Sequence, residues 1–174
     1  GLLDISSLAD GSAEQARIKL KNLISKGAAK LILDLRDCAD GNPSEGADLA
    51  NLFLKSGTIY YSQNRQGEKV QVVEAVPSKH VTDMPLVVLI DSSTAAAAEI
   101  AAGALKDSKR ATVVGEKSFG VGSAQKTIPM KSGALLILSI AKYYTPGGKV
   151  IQDDESATKT GISPDVEAPN DDQR

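Results

Sequence analysis

Apolar positions recur at helical spacing near the start of the chain and at strand spacing directly after it. Ala16, Leu20, Leu23 and Ile24 share one face of a predicted helix over about residues 12–26. Ser12 with Gln15 three positions on has the form of a capping box, and Gly27 is placed to end the helix. KLILDL (30–35) predicts a buried strand that runs into a polar, glycine-bearing loop, DCADGNPS. Pro43 then opens a second predicted helix, with Leu49, Leu52 and Phe53 inward and Gly57 closing it. TIYYSQ and KVQVVEA, around residues 64–67, alternate as a hairpin with one exposed face. LVVLI (86–90) is an apolar strand behind Pro85, the alanine-rich run from about Ala95 to Lys106 is a third helix, and ATVVGE (111–116) is the next strand. From Ser123 the pattern changes to a second hairpin, AQKTIPM and ALLILSIAKYY, turned at Lys131–Gly133.

Strands alternating with crossover helices predict an α/β fold: a mixed, mainly parallel sheet with helices covering both faces. Residues 1–152 are expected to form one core domain, and the polar, proline-dotted stretch 153–174 a loosely held tail. A length of 174 residues suits a single domain. Composition narrows the function further. Lys and Arg number 20 against 22 Asp and Glu, a net charge of −2, and aromatics make up 3% with no Trp. With neither a basic field for phosphates nor a stacking platform for bases, nucleic acid is not expected as a partner. One Cys excludes an internal disulfide, and one His with one Cys cannot build the usual zinc site, so no metal and no cofactor is predicted. No apolar run approaches the roughly 20 residues of a membrane span. The chain opens on Gly1 inside a predicted strand, without Met or a leader, and is expected to be a piece of a longer protein.

Chemistry concentrates at the strand-to-helix junction LVVLIDSSTAAAAEI. A helix N-terminus directs unpaired N–H groups and a positive dipole end at whatever sits there, which lowers a nucleophile's pKa and offers an oxyanion hole. Read locally, Ser93 or Thr94 is a simple helix cap. The longer context carries more. LVVLIDSSTAAAAEIAAGALKD, RATVVGEKSFGVGSAQKTIPM, ALLILSIAKYYTPGGKVIQ and GISPDVE, in that order, resemble the core of the carboxyl-terminal processing (tail-specific) peptidases, the S41 serine peptidase family. Upstream, the helix at Ser12 followed by KLILDLRDCADG resembles the family's strand ending in an Asn-Pro-Gly-Gly loop. The resemblance covers nearly the whole chain. It implies a ClpP/crotonase-like fold, unfolded or C-terminal protein segments as partners, and a periplasmic or cell-envelope, extracytoplasmic setting. The PDZ domain that usually accompanies this core is absent from these 174 residues, and one elsewhere in the full-length protein is an expected partner.

Family members use a Ser–Lys dyad, often assisted by a Gln. By resemblance the nucleophile lies three residues before Glu99, at Ala96, and the base lands on Val121 in Phe119-Gly120-Val121-Gly122. The separation between these two positions is the family's own. Gln125 matches the assisting Gln, and the oxyanion donors fall on the backbone N–H of Ala97 and one near Gly41. A methyl group forms no acyl-enzyme and an isopropyl group accepts no proton. The resemblance therefore implies a pseudoenzyme: a peptidase-family domain whose own catalysis is lost, kept as a peptide-binding or assembly module. Two other readings stand beside it. One is an active endopeptidase with a relocated serine, or with Ala96 an engineered change. The other is a small-molecule enzyme on a crotonase-like scaffold, for which no acyl-CoA signature or acid/base pair is visible. Ser92, Ser93, Thr94 and Ser123 are the candidate substitute nucleophiles, with Lys117 and Lys126 the nearest candidate bases; in an extended segment Val121, Ser123 and Gln125 share a face. His80 reads as part of an exposed linker, Asp34, Asp37 and Asp40 as cap and turn residues rather than a metal site, and Cys38 as a small packing residue.

Overall fold

The computed structural model describes residues 1–152 and 161–169. In it the apolar run LVVLI becomes β5 (Leu86–Ile90), the middle strand of a five-stranded parallel sheet. Its companions are β1 (Leu2–Asp4), β2 (Leu31–Asp34), β6 (Thr112–Gly115) and β9 (Val166–Glu167), in the order β1-β2-β5-β6-β9. The register sets Leu3, Leu33, Val88 and Val113 side by side across four strands, and all four are buried. Each such buried aliphatic side chain contributes about 1.5–3 kcal/mol. Three helices supply the crossovers and covering layer: α1 (Ser12–Ser25), α2 (Pro43–Asn51) and α3 (Ala97–Asp107). The two hairpins, β3 (Thr58–Gln63) with β4 (Lys69–Glu74) and β7 (Ser123–Pro129) with β8 (Leu135–Tyr144), join as a separate antiparallel sheet in the order β4-β3-β8-β7. The α/β class with a mainly parallel sheet is as predicted, but parallel and antiparallel strands separate into two sheets rather than mixing in one.

Local expectations fail where a distant residue takes over. Helix α1 begins as predicted at Ser12, but Ser12 does not cap it. Gly11 is the N-cap at φ 84°, and Glu45 of α2 accepts the N–H groups of Gly11 (3.0 Å) and Ala13 (2.8 Å). A carboxylate from the neighbouring helix thus replaces the capping box, and it also suits the positive end of the helix. Helix α2 ends at Asn51, before Gly57, which instead turns the chain into β3 at φ 94°. Helix α3 begins two residues later than expected, with Ala96 rather than Ser93 or Thr94 at its N-cap.

Two further expectations change. The stretch expected to be a loose tail contributes β9 and buries Ile162; residues 153–160 and 170–174 of it lie outside the described residues. Among the described residues the parallel sheet is covered fully on one face only. Its other face leaves Leu2 58% and Ile32 41% exposed, and Val87 and Leu89 half-buried. Among the described residues no helix is long and apolar enough to cross a membrane.

The close fit of α2 against α3 positions the functional region. A Cβ on Gly46 would lie 2.1 Å from the Ala97 carbonyl oxygen, so only glycine lets the two backbones meet at the first residue of α3.

Candidate active site

Strand β5 delivers the chain to a turn that Asp91 and Thr94 lock in place. The buried Asp91 carboxylate accepts from the N–H groups of Ser93 (3.0 Å), Thr94 (2.9 Å) and Asp37 (3.2 Å). The Thr94 hydroxyl accepts from the Asp91 N–H at 2.9 Å, and lies 2.9 Å from the Leu35 carbonyl and 3.0 Å from Asp91 Oδ1, either of which takes its single proton. Thr94 is therefore a buried pin between β2 and β5 and not a cap. One residue on, the Ala95 N–H donates to the Cys38 carbonyl at 2.9 Å, tying the turn to the loop after β2. Ala96 follows with φ 52° and ψ −116°, a conformation that L side chains avoid and that costs of order 1–3 kcal/mol. Sharp strand-to-helix turns of this kind lift one side chain clear of both elements. Here that side chain is a half-buried methyl group.

Glu99, in the first turn of α3 and wholly buried, gathers the rest of the site. Its Oε2 accepts the N–H groups of Ala96 (3.1 Å) and Val121 (2.8 Å). Its Oε1 accepts the Gly120 N–H (2.8 Å) and the Ser118 hydroxyl, whose oxygen in turn accepts the Ile162 N–H at 2.6 Å. A single carboxylate oxygen thus holds the backbones of Ala96 and Val121 within two hydrogen-bond lengths of one another. Burial pushes the Glu99 carboxyl above its ordinary pKa, against the pull of the four donors. A further backbone bond, Phe119 N–H to the Thr94 carbonyl at 2.9 Å, fastens the same loop to the turn.

The positions assigned by resemblance are distributed as follows. Ala97 is the first residue of α3, where the N–H has no intrahelical acceptor. Gly41 sits at φ 116° in the loop that Cys38 ties to the turn, and a Cβ there would lie 2.3 Å from the Leu8 carbonyl oxygen. Val121 is exposed and lies in the loop before β7, outside the strand, so the extended face expected to run through Val121, Ser123 and Gln125 does not begin there. Gln125 is exposed on β7 opposite Ser139, past a bulge between Ala124 and Gln125. No described hydrogen bond draws it to Ala96 or Glu99. Ser123 Oγ lies 3.4 Å from Ser139 Oγ, and Lys126, opposite Leu138, is exposed on the hairpin.

Ser92 and Ser93 are exposed on the turn, and Asp34, Asp37, Asp40, Cys38 and His80 are accounted for by packing and pairing. Asp34 receives the Arg36 guanidinium as a fork at 2.8 and 2.6 Å, Asp37 gives its N–H to Asp91, and Asp40 accepts the Ser7 hydroxyl at 3.1 Å. Among the described residues no group of His, Cys, Asp and Glu is placed to hold a metal ion. Burial, with the nearby Asp40 charge, pushes the Cys38 thiol up to about 11, so it is a packing residue and no nucleophile. His80 is not exposed as expected: its side chain is 11% exposed, and Nε2 lies 3.1 Å from Asp83 Oδ1. It precedes β5, whereas the site follows it, and a five-residue strand at about 3.3 Å per residue keeps the two ends apart.

Sequence reading used Glu99 only as a marker of register and missed its role. Its signal was a lone carboxylate inside AAAAEIAAGA, where a charge needs buried partners.

A strained strand-to-helix turn above a parallel sheet marks this domain as an α/β scaffold of the kind that presents one side chain at such a turn. The chain belongs to peptidase family S41, whose model matches residues 1–168. It is 40% identical over 171 residues to a carboxyl-terminal-processing protease of Synechocystis sp., covering 97% of this chain and 38% of that protein. It is 34% identical over 169 residues to the carboxy-terminal processing protease CtpA of Bacillus subtilis, covering 97% and 34%. Among solved structures it is similar to a photosystem II D1 C-terminal processing protease, with a TM-score of 0.85, 32% identity, and coverage of 95% of this chain and 41% of that one. The chain thus spans well under half the length of these relatives.

Proposed function

We propose that this domain holds unfolded or C-terminal protein segments without cutting them by the Ser–Lys route. The observation that carries this reading is the pairing of an intact frame with two inert side chains. Glu99 hydrogen-bonds the backbones of Ala96 and Val121, yet neither side chain has an atom that can attack a carbonyl or move a proton. The N–H groups of Ala97 and Gly41 are the backbone donors left to receive a peptide carbonyl, and Gln125 is the remaining polar side chain of the family's set. A PDZ domain of the same full-length protein fits this reading as a further partner, and nucleic acid does not. An extracytoplasmic or lumenal setting agrees with relatives that are bacterial and chloroplastic by name.

The test is cleavage of casein together with labelling by a fluorophosphonate probe. The unaltered chain is expected to give neither, because removing a nucleophile of this kind typically costs about 10⁶ in turnover. Ala96→Ser or Val121→Lys alone is expected to restore little, and the two together to restore measurable cleavage, since such groups act as a unit. Cleavage by the unaltered chain, abolished by Ser123→Ala, would place the chemistry elsewhere and overturn the proposal.

A further inference from the structure

The hairpin β7–β8 outruns the sheet to which it belongs. β7 pairs with β8 along its length, whereas β3 reaches β8 only at Lys142, Tyr143 and Tyr144. Between the turn at Lys131–Gly133 and Gln63, which faces Lys142, residues 133–141 have one edge without a partner strand among the described residues. Both faces of this stretch are uncovered as well. Ile128, Leu136 and Leu138 stand exposed on one face, and on the other Leu135 is 66% and Ile137 60% exposed.

The alternation of hydrogen bonds along an antiparallel pair fixes which residues serve the open edge. The Met130 N–H donates to the Ala134 carbonyl at 2.9 Å, so Ala134, Leu136 and Leu138 turn their backbone groups toward β7. Leu135 and Ile137 therefore direct their N–H and C=O groups outward. A two-stranded ribbon is marginal by itself, and what completes this one must be a further strand, apolar on both faces. The stretches of this chain outside the described residues, DDESATKT (153–160) and NDDQR (170–174), have no apolar run to offer. A second β8 has one, and its free edge is of equal length. Charge also admits it. An edge paired with a copy of itself sets like against like wherever it is charged, and residues 133–141 carry no charge. They also lack the lysines and prolines that usually keep edge strands apart.

We propose that two copies of this chain associate through the free edges of their β8 strands, antiparallel about a two-fold axis at Ile137. That residue is the midpoint of the free stretch, and its outward N–H and C=O groups in each copy exchange both hydrogen bonds across the axis. Leu136 of one copy then faces Leu138 of the other, so four leucines form one apolar face. Leu135 faces Ser139, and the pairing ends on each side before Gln63 takes over the edge at Lys142. The strands run β7-β8-β8-β7 in one sheet. An edge this short covers less than the roughly 1,200 Å² of a stable complex, so dissociation is expected in the micromolar range. The pairing is independent of the chemistry at Ala96.

Sedimentation equilibrium of the intact chain over roughly 1–300 μM tests it, and a concentration-dependent monomer–dimer equilibrium is expected. Ile137→Lys and Ile137→Glu each set two like charges directly opposite one another across the axis, and each is expected to weaken the dimer roughly tenfold. An equimolar mixture of the two variants is expected to recover it, because opposite charges then face each other. Monomer at every concentration overturns the proposal and assigns the edge to a strand from outside this chain. A dimer that survives either substitution overturns it too, by placing the contact on another surface. So does failure of the mixture to recover the dimer, which denies the register at Ile137.

Discussion

Glu99→Gln probes the carboxylate on which the site is hung. Glutamine keeps the shape but exchanges one oxygen for an NH₂ group. Of the four donors now served, the pair on one oxygen keeps an acceptor, and the pair on the other faces a second donor: Ala96 with Val121, or Gly120 with Ser118. A buried donor left unsatisfied costs about 1–3 kcal/mol, so two of them cost about 2–4 kcal/mol once some relaxation is allowed. The penalty also depends on pH. Burial raises the Glu99 carboxyl above its ordinary value of 4.5, so the folded chain binds that proton more tightly than the unfolded chain. The associated stabilisation is present below pH 4.5 and is lost as pH rises through the raised value. Glutamine has no such term, so the penalty should be larger near pH 4.5 than near pH 7.5. Urea denaturation of both proteins at the two pH values measures it. Equal stability at both, or a penalty that grows with pH, would refute the reasoning.

Ala96→Gly relieves the strain at φ 52° and is expected to stabilise the domain by about 1 kcal/mol net of glycine's backbone entropy, or ~2–4 °C in Tm by calorimetry. Gly41→Ala combines φ 116° with a Cβ 2.3 Å from the Leu8 carbonyl oxygen, and a loss of about 2–4 kcal/mol in thermal or urea unfolding is the expected result. Cys38, buried and with its thiol pushed up to about 11, should resist Ellman's reagent at pH 8 until the chain is unfolded; immediate labelling of the native protein would contradict its burial.

Much of the fold was legible because its signals are local. Hydrophobic runs, Pro43 at the start of α2 and Gly27 after α1 act through neighbouring residues, and each element they mark formed within a residue or two, the end of α2 excepted. The motif spacing likewise carried the family assignment, which the match over residues 1–168 bears out. Most of the misses share a cause. Ser12 lost its capping role to Glu45, Thr94 became a pin on Leu35, Gly57 served a strand instead of a helix, and Ile162 left the expected tail for the core. In the first, second and fourth cases the deciding partner is distant in sequence, and periodicity senses only neighbours. The same limit hid Glu99, whose four donors come from the head of its own helix and from the loop before β7. Residue types by themselves determined most of the elements that form and the family to which the chain belongs. Only the tertiary structure decided which buried polar groups meet, because a hydrogen bond depends on separation in space and not along the chain.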